Sequence, residues 1–168
     1  MLQESLLNVT MSRTRGRVAY DTAAAECILA RYGRCLKDVK SDGACLFRAL
    51  ADQIHGTEGL AQEVRDACCD EILADAELRY SIEGDVDVYV RKMRKSETWG
   101  GELEIAAAVR RFDICLVVVD PATAKSIPYV PVGKHPQKNV CIVVWRGANG
   151  ETKHYSSSHP VFPPHGRR

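Results

Sequence analysis

Cys45 stands in "SDGACLFRAL" (residues 41–50) and His154 in "KHYSSS" (153–158). A cysteine and a distant histidine are the residue types of a thiol nucleophile and its base. A thiolate attacks carbonyl carbon, but an ordinary thiol, with a pKa of about 8.5, is mostly protonated at neutral pH. A helix N-terminus or a nearby imidazolium lowers that value. Asp42 and Gly43 are turn or cap residues, and Leu46 to Leu50 continues as a helix, so the local sequence puts Cys45 at a helix N-terminus. Backbone N–H groups of Asp42, Gly43, Ala44 and Cys45 would point outward from so tight a turn. There they could hold the oxyanion of a tetrahedral intermediate. Gly43 lets backbone approach a substrate with no side chain between. Two turn residues before a cysteine equally describe a half-buried thiol beside an ordinary turn, and "DGAC" alone leaves both readings open.

The chain has five histidines. His55 falls at the far end of the helix that Cys45 begins. His135 and His165 lie in proline-containing loops, and His159 precedes Pro160. His154 follows a hairpin signal and sits in a segment with strand character, where a rigid strand could hold its imidazole at a fixed distance from a helix end. By position alone it is as readily a surface histidine. His154 and His159 have the spacing of a zinc-finger pair, but no C-x-x-C accompanies them, so no metal is expected.

The elements that must position these residues follow from periodicity. Asp21 caps a helix over Ala23–Arg31, ended by Gly33. Residues 35–40 form a short strand or an extended arm. Cys45–His55 is a helix stopped by Gly56. Leu60–Leu78 is a longer helix, with Val64, Cys68 and Ile72 in one stripe. Val86–Lys95 and the segment through Phe112 are further helices, the latter with Glu102 and Glu104 in its first turn. Then the character changes. Residues 113–120 and 139–145 read as buried strands, and "SIPYVPV" as an edge segment because of its prolines. Asn149-Gly150 marks a tight hairpin whose return strand is Thr152–Ser156. Helices come first and a sheet follows, an α+β order. The expected organisation is a flexible segment over 1–20, one domain over 21–159 and a tail over 160–168.

Composition sets outer limits. The 168 residues, 45% hydrophobic and 27% charged, suit one domain with a real core. A net charge of +1 gives no field to select nucleic acid or an anionic membrane. The basic cluster Arg91, Lys92, Arg94 and Lys95 reads as a solvated helix face. The longest apolar runs are too short to span a bilayer, and no secretory signal is evident. Seven cysteines, several inside apolar runs, suggest free thiols and a reducing, cytoplasmic setting.

Three blocks in order, "DGACLFRAL" (42–50), "WGGELEIAAAV" (99–109) and "HYSSS" (154–158), resemble the signature blocks of the OTU (ovarian tumour) family of cysteine proteases. "VRD" (64–66) and "YVRKM" (89–93) resemble the family's intervening helices. The resemblance runs from Leu36 to Ser158. It implies a papain-like fold, a small mixed β-sheet packed between helices, and isopeptidase activity on ubiquitin, polyubiquitin or ubiquitin-like conjugates. Cys45 matches the nucleophile and His154 the general base. Asp42 matches the acidic residue opening the nucleophile motif, whose loop shapes the oxyanion hole. Trp99, Gly100 and Gly101 match the segment beside the substrate channel, which Tyr155 would also line. The glycines suit a narrow path for an extended Gly-Gly tail, although a tryptophan there also reads as core filler.

One position departs from the family pattern. Two residues after the histidine, asparagine or aspartate commonly orients the imidazole, and here Ser156 stands instead. Ser156 or Asp42 could take that role. A monomer without metal or organic cofactor is expected. The alternatives are a catalytically weak or silent ubiquitin-binding module and a viral-type protease that also processes a polyprotein.

Overall fold

The computed structural model describes residues 20–133 and 135–161. The segment expected over 1–20, apart from Tyr20, lies outside the described residues, as do 162–168 with His165. Asp21 accepts a hydrogen bond from the Ala24 N–H at 2.9 Å and caps α1 (Thr22–Ala30), as its carboxylate suggested. Strand β1 (Arg34–Lys37) leads to the nucleophile loop and α2 (Cys45–His55), which ends at Gly56 with φ +79°.

The long helix expected over 60–78 is split. A 3₁₀ turn at Glu58–Leu60 precedes α3 (Ala61–Ala74), and α4 (Ala76–Tyr80) follows a break. Asp75 makes the break: its backbone is extended and its carboxylate accepts from the Glu77 and Leu78 N–H groups, which starts a new helix. Helices α5 (Val86–Met93) and α6 (Glu102–Phe112) complete the helical half.

Strands β2 (Ile114–Asp120), β3 (Lys125–Tyr129), β4 (Lys138–Arg146) and β5 (Thr152–Pro160) join β1 in one sheet of order β1-β5-β4-β2-β3. The β2–β4 pair is parallel and the others antiparallel, so the sheet is mixed, and β3 with its proline is an edge. Both sheet faces are covered, which explains the unbroken apolar runs of β2 and β4. Val140, Ile142, Val144 and Leu116 face α2, α3 and α6. Cys141, Val143 and Trp145 face Ala25, Ile28 and Leu29 of α1.

The β4–β5 connection is wider than the expected two-residue turn. It runs from Gly147 to Glu151, with Gly150 at φ +79° and a register shift at Trp145/Arg146. The return strand also extends past Ser156 to Pro160, because β1 pairs with its second half: Arg34 opposes Pro160 and Lys37 opposes Ser157. Pro160, where a tail was expected to begin, thus pairs with Arg34 at the end of the sheet.

Candidate active site

Cys45 is the first residue of α2 and is 1% exposed. The helix N-terminus was expected to lower its thiol pKa, but burial wins and the thiol is raised. Hydrogen bonds from the backbone of Tyr155 and Leu46 pull it back in part. The Tyr155 contact carries further meaning: the thiol meets the peptide adjoining His154. Helix α2 packs along β5, with Tyr155 among the apolar residues on that face and the Ser157 hydroxyl 2.7 Å from Asp52 of α2. Strand and helix are thereby locked in register at the sulfur.

His154 is 4% exposed and directly opposes Trp145 across the β4–β5 ladder. The Tyr20 ring stacks on Trp145 with centroids 4.7 Å apart, and lies 6.3 Å from the His154 ring at an interplanar angle of 16°. Burial depresses the His154 pKa below its ordinary 6.5, opposed by the charges of Asp38 and then Asp42. Burial thus favours the neutral form of both thiol and imidazole. The other described histidines lie elsewhere: His55 packs edge-on against Phe112, His135 is exposed in a loop, and His159 opposes Cys35 at the far end of β5.

Neither sequence candidate for orienting His154 is bonded to it. Both Asp42 carboxylate oxygens accept from Arg48, and Oδ1 also accepts from the Ala44 N–H, which holds the carboxyl below the usual carboxylate range. The Ser156 hydroxyl accepts from the Trp145 indole N–H at 2.8 Å and donates to Asp38 Oδ1 at 3.1 Å. Sequence reading passed over Asp38. It is an exposed aspartate just beyond a four-residue strand, and no spacing rule links it to a histidine 116 positions later.

The nucleophile loop spends most of its donors internally. Asp42 N–H bonds to Lys40, Cys45 N–H to the Asp42 carbonyl at 3.1 Å, and Ala44 N–H to the Asp42 side chain. Of the four residues expected to supply an oxyanion hole, Gly43 is the one whose N–H makes no such internal bond among the described residues. The loop is held from beneath by Arg65, which is wholly buried. Its guanidinium donates to the carbonyls of Gly43, Met93, Ser96 and Thr98 and lies 4.1 Å over the Phe47 ring. One side chain of α3 thus ties the nucleophile loop to the segment entering Trp99.

Trp99 is 48% exposed, which rules out core filler. With Gly100, Gly101 and Tyr155 it lines an open cleft of about 460 Å³ that also touches Tyr89 and Thr152. All four residues assigned to the channel from sequence therefore line one cavity. Gly100 packs on Leu46 and Phe47, which follow Cys45 in α2, so one wall of the cleft rests on the helix that the nucleophile begins. Beneath it, Glu104 accepts from the Gly101 N–H at 2.7 Å and from the Tyr89 hydroxyl at 2.6 Å, fixing the start of α6.

A cysteine at a helix N-terminus and a histidine on the strand packed against that helix define a thiol-protease type of site. A family model for OTU-like cysteine proteases matches residues 40–155, and the chain belongs to that family. OTU domain-containing protein 5 of Homo sapiens is 33% identical over 96 residues, covering 56% of this chain but 17% of that protein, so this chain spans a small part of its relative's length. The OTU domain of OTUD1 superposes with a TM-score of 0.70 at 18% identity, covering 83% of this chain and 95% of that one. An OTU domain solved in complex with ubiquitin gives a TM-score of 0.62 at 23% identity, covering 74% of this chain and 69% of that one. These likenesses establish the α+β OTU fold.

Proposed function

We propose that this chain is a deubiquitinase, a cysteine isopeptidase that hydrolyses ubiquitin or ubiquitin-like conjugates. The observation carrying the reading is the packing of α2, which begins at Cys45, against β5, which bears His154, beside an open cleft lined by Trp99, Gly100, Gly101 and Tyr155. Glycine walls let the backbone of an extended Gly-Gly tail lie close against the chain with no side chain between. The likeness to a ubiquitin-bound OTU domain supports the same substrate class.

His154 takes the Cys45 proton as the sulfur attacks the carbonyl carbon of the tail's last glycine. The Gly43 N–H receives the developing oxyanion. His154 then gives its proton to the leaving lysine amine as the C–N bond breaks. This leaves a thioester on Cys45, and water, deprotonated by His154, hydrolyses it. Every group used belongs to the chain, which acts as a monomer. Seven free thiols support work in a reducing, cytoplasmic compartment.

The test is release of a fluorogenic amine from the ubiquitin C-terminus. The reading expects turnover by the wild type and none by Cys45→Ala. Tight ubiquitin binding without turnover would mark a silent binding module, and cleavage of a short peptide with ubiquitin untouched would mark a protease of another substrate class.

A further inference from the structure

A buried imidazole nitrogen without a partner calls for an explanation, and His154 has one. Its Nδ1 is buried and makes no hydrogen bond. A base that works from one ring nitrogen needs an acceptor or a negative charge near the other. Such a group fixes the ring and supports the positive charge that develops when the proton arrives. Ser156 cannot be that group as it stands, since its hydroxyl is occupied by Trp145 and Asp38. Asp42 cannot either, since Arg48 and Ala44 take its carboxylate.

We propose that Asp38, steered by the Ser156 hydroxyl, is the positioning residue of His154 and supplies the carboxylate that supports its imidazolium. The inference rests on the isopeptidase reading for its reaction, but not for its geometry. A serine two residues after the histidine is too short and neutral to stabilise a cation. It is well suited, however, to hold a carboxylate that arrives from another segment. The Trp145 N–H fixes the serine, the serine fixes Asp38, and Asp38 lies in the β1–α2 connection, beside the nucleophile loop.

Among the described residues, several groups act on His154. Tyr20 stacks from the segment before α1, and Trp145 faces it from β4. The charge of Asp42 acts on it from the nucleophile loop. Neighbouring Lys153 is paired with Glu151 at 2.8 Å, so its positive charge is accompanied by a negative one. Of the two acidic charges acting on His154, that of Asp38 is the larger.

The experiment uses the whole chain as wild type, Asp38→Asn, Asp38→Glu and Ser156→Ala. It follows hydrolysis of the fluorogenic ubiquitin amide against pH, and the His154 imidazole resonance by NMR. Asp38 is exposed, so its variants should keep the wild-type melting temperature. Asp38→Asn is expected to lower kcat about tenfold with KM unchanged. It should also move the acid limb of kcat/KM and the NMR titration to lower pH, because losing a negative charge makes the imidazolium easier to deprotonate. Asp38→Glu should restore most of the rate, and Ser156→Ala should shift both readouts in the same direction by less. Wild-type kinetics in Asp38→Asn, or a lower kcat with neither titration moved, would overturn the proposal. If the folded wild type does not turn over ubiquitin, the isopeptidase reading fails, while the NMR titration still decides whether Asp38 governs His154.

Discussion

Gly43 and Glu97 touch so closely that a Cβ built on Gly43 would lie 2.1 Å from the Glu97 carbonyl oxygen. The nucleophile loop therefore has no room to shift away from the segment before Trp99. Gly43→Ala must displace one backbone or the other. We expect a loss of about 1–3 kcal/mol in denaturant unfolding. Cleavage of the ubiquitin amide should fall by about 10²-fold, since a displacement of roughly 1 Å is enough to misplace the oxyanion donor. An alanine variant with wild-type melting and rate would show that the loop yields.

Gly100 and Gly101 separate packing from substrate access. A Cβ on Gly100 would meet Leu46 Cδ2 at 2.8 Å and Phe47 Cζ at 2.9 Å, whereas one on Gly101 meets nothing within 4 Å. Gly100→Ala should therefore lower the melting temperature and the rate together. Gly101→Ala should melt as the wild type does, yet raise KM for the ubiquitin amide several-fold by narrowing the cleft. Unchanged KM in Gly101→Ala would remove this cleft as the tail's path.

Arg65 holds four carbonyls from a buried position. Arg65→Met removes the donors and leaves those acceptors without partners, which should cost about 3–5 kcal/mol in a urea titration. Arg65→Lys keeps the charge but not the planar fork, and should fall between the two. Equal stability of all three would mean that the carbonyls find other donors.

Burial lowers the His154 pKa below 6.5. The unfolded chain then binds this proton more readily than the folded one. The contribution of His154 to stability is full above about pH 6.5 and is lost as pH falls toward the depressed folded value. Activity should follow the same sign, with the acid limb of kcat/KM below 6.5, because a neutral imidazole is the working base. An acid limb above 6.5 would contradict a desolvated neutral base.

Much of this architecture was legible where one residue carries one local signal. Asp21 as a helix cap, Gly56 as a stop and Pro128 on an edge strand each act on their own backbone, and each element formed as expected. Trp99, Gly100, Gly101 and Tyr155, taken from two of the signature blocks, line one cleft. Asp75 was missed because a carboxylate inside a helical pattern competes for backbone N–H groups only when the chain can turn there. The length of β5 was missed because its second half is set by β1, more than a hundred residues earlier. Asp38 and Tyr20 were missed for the same reason, since nothing local announces a contact with His154. The direction of the Cys45 shift was misjudged because burial depends on what packs over the sulfur, and sequence shows only the helix end beneath it.

The most direct measurement is an intact-mass assay of the chain with ubiquitin bearing a C-terminal electrophile, on wild type, Cys45→Ala and His154→Ala. A single ubiquitin adduct, mapped to Cys45, is expected on the wild type. It should be lost in Cys45→Ala and slowed by at least about 10²-fold in His154→Ala. An adduct that persists in Cys45→Ala, or its lack in folded wild type, would contradict a thiol isopeptidase built on these two residues.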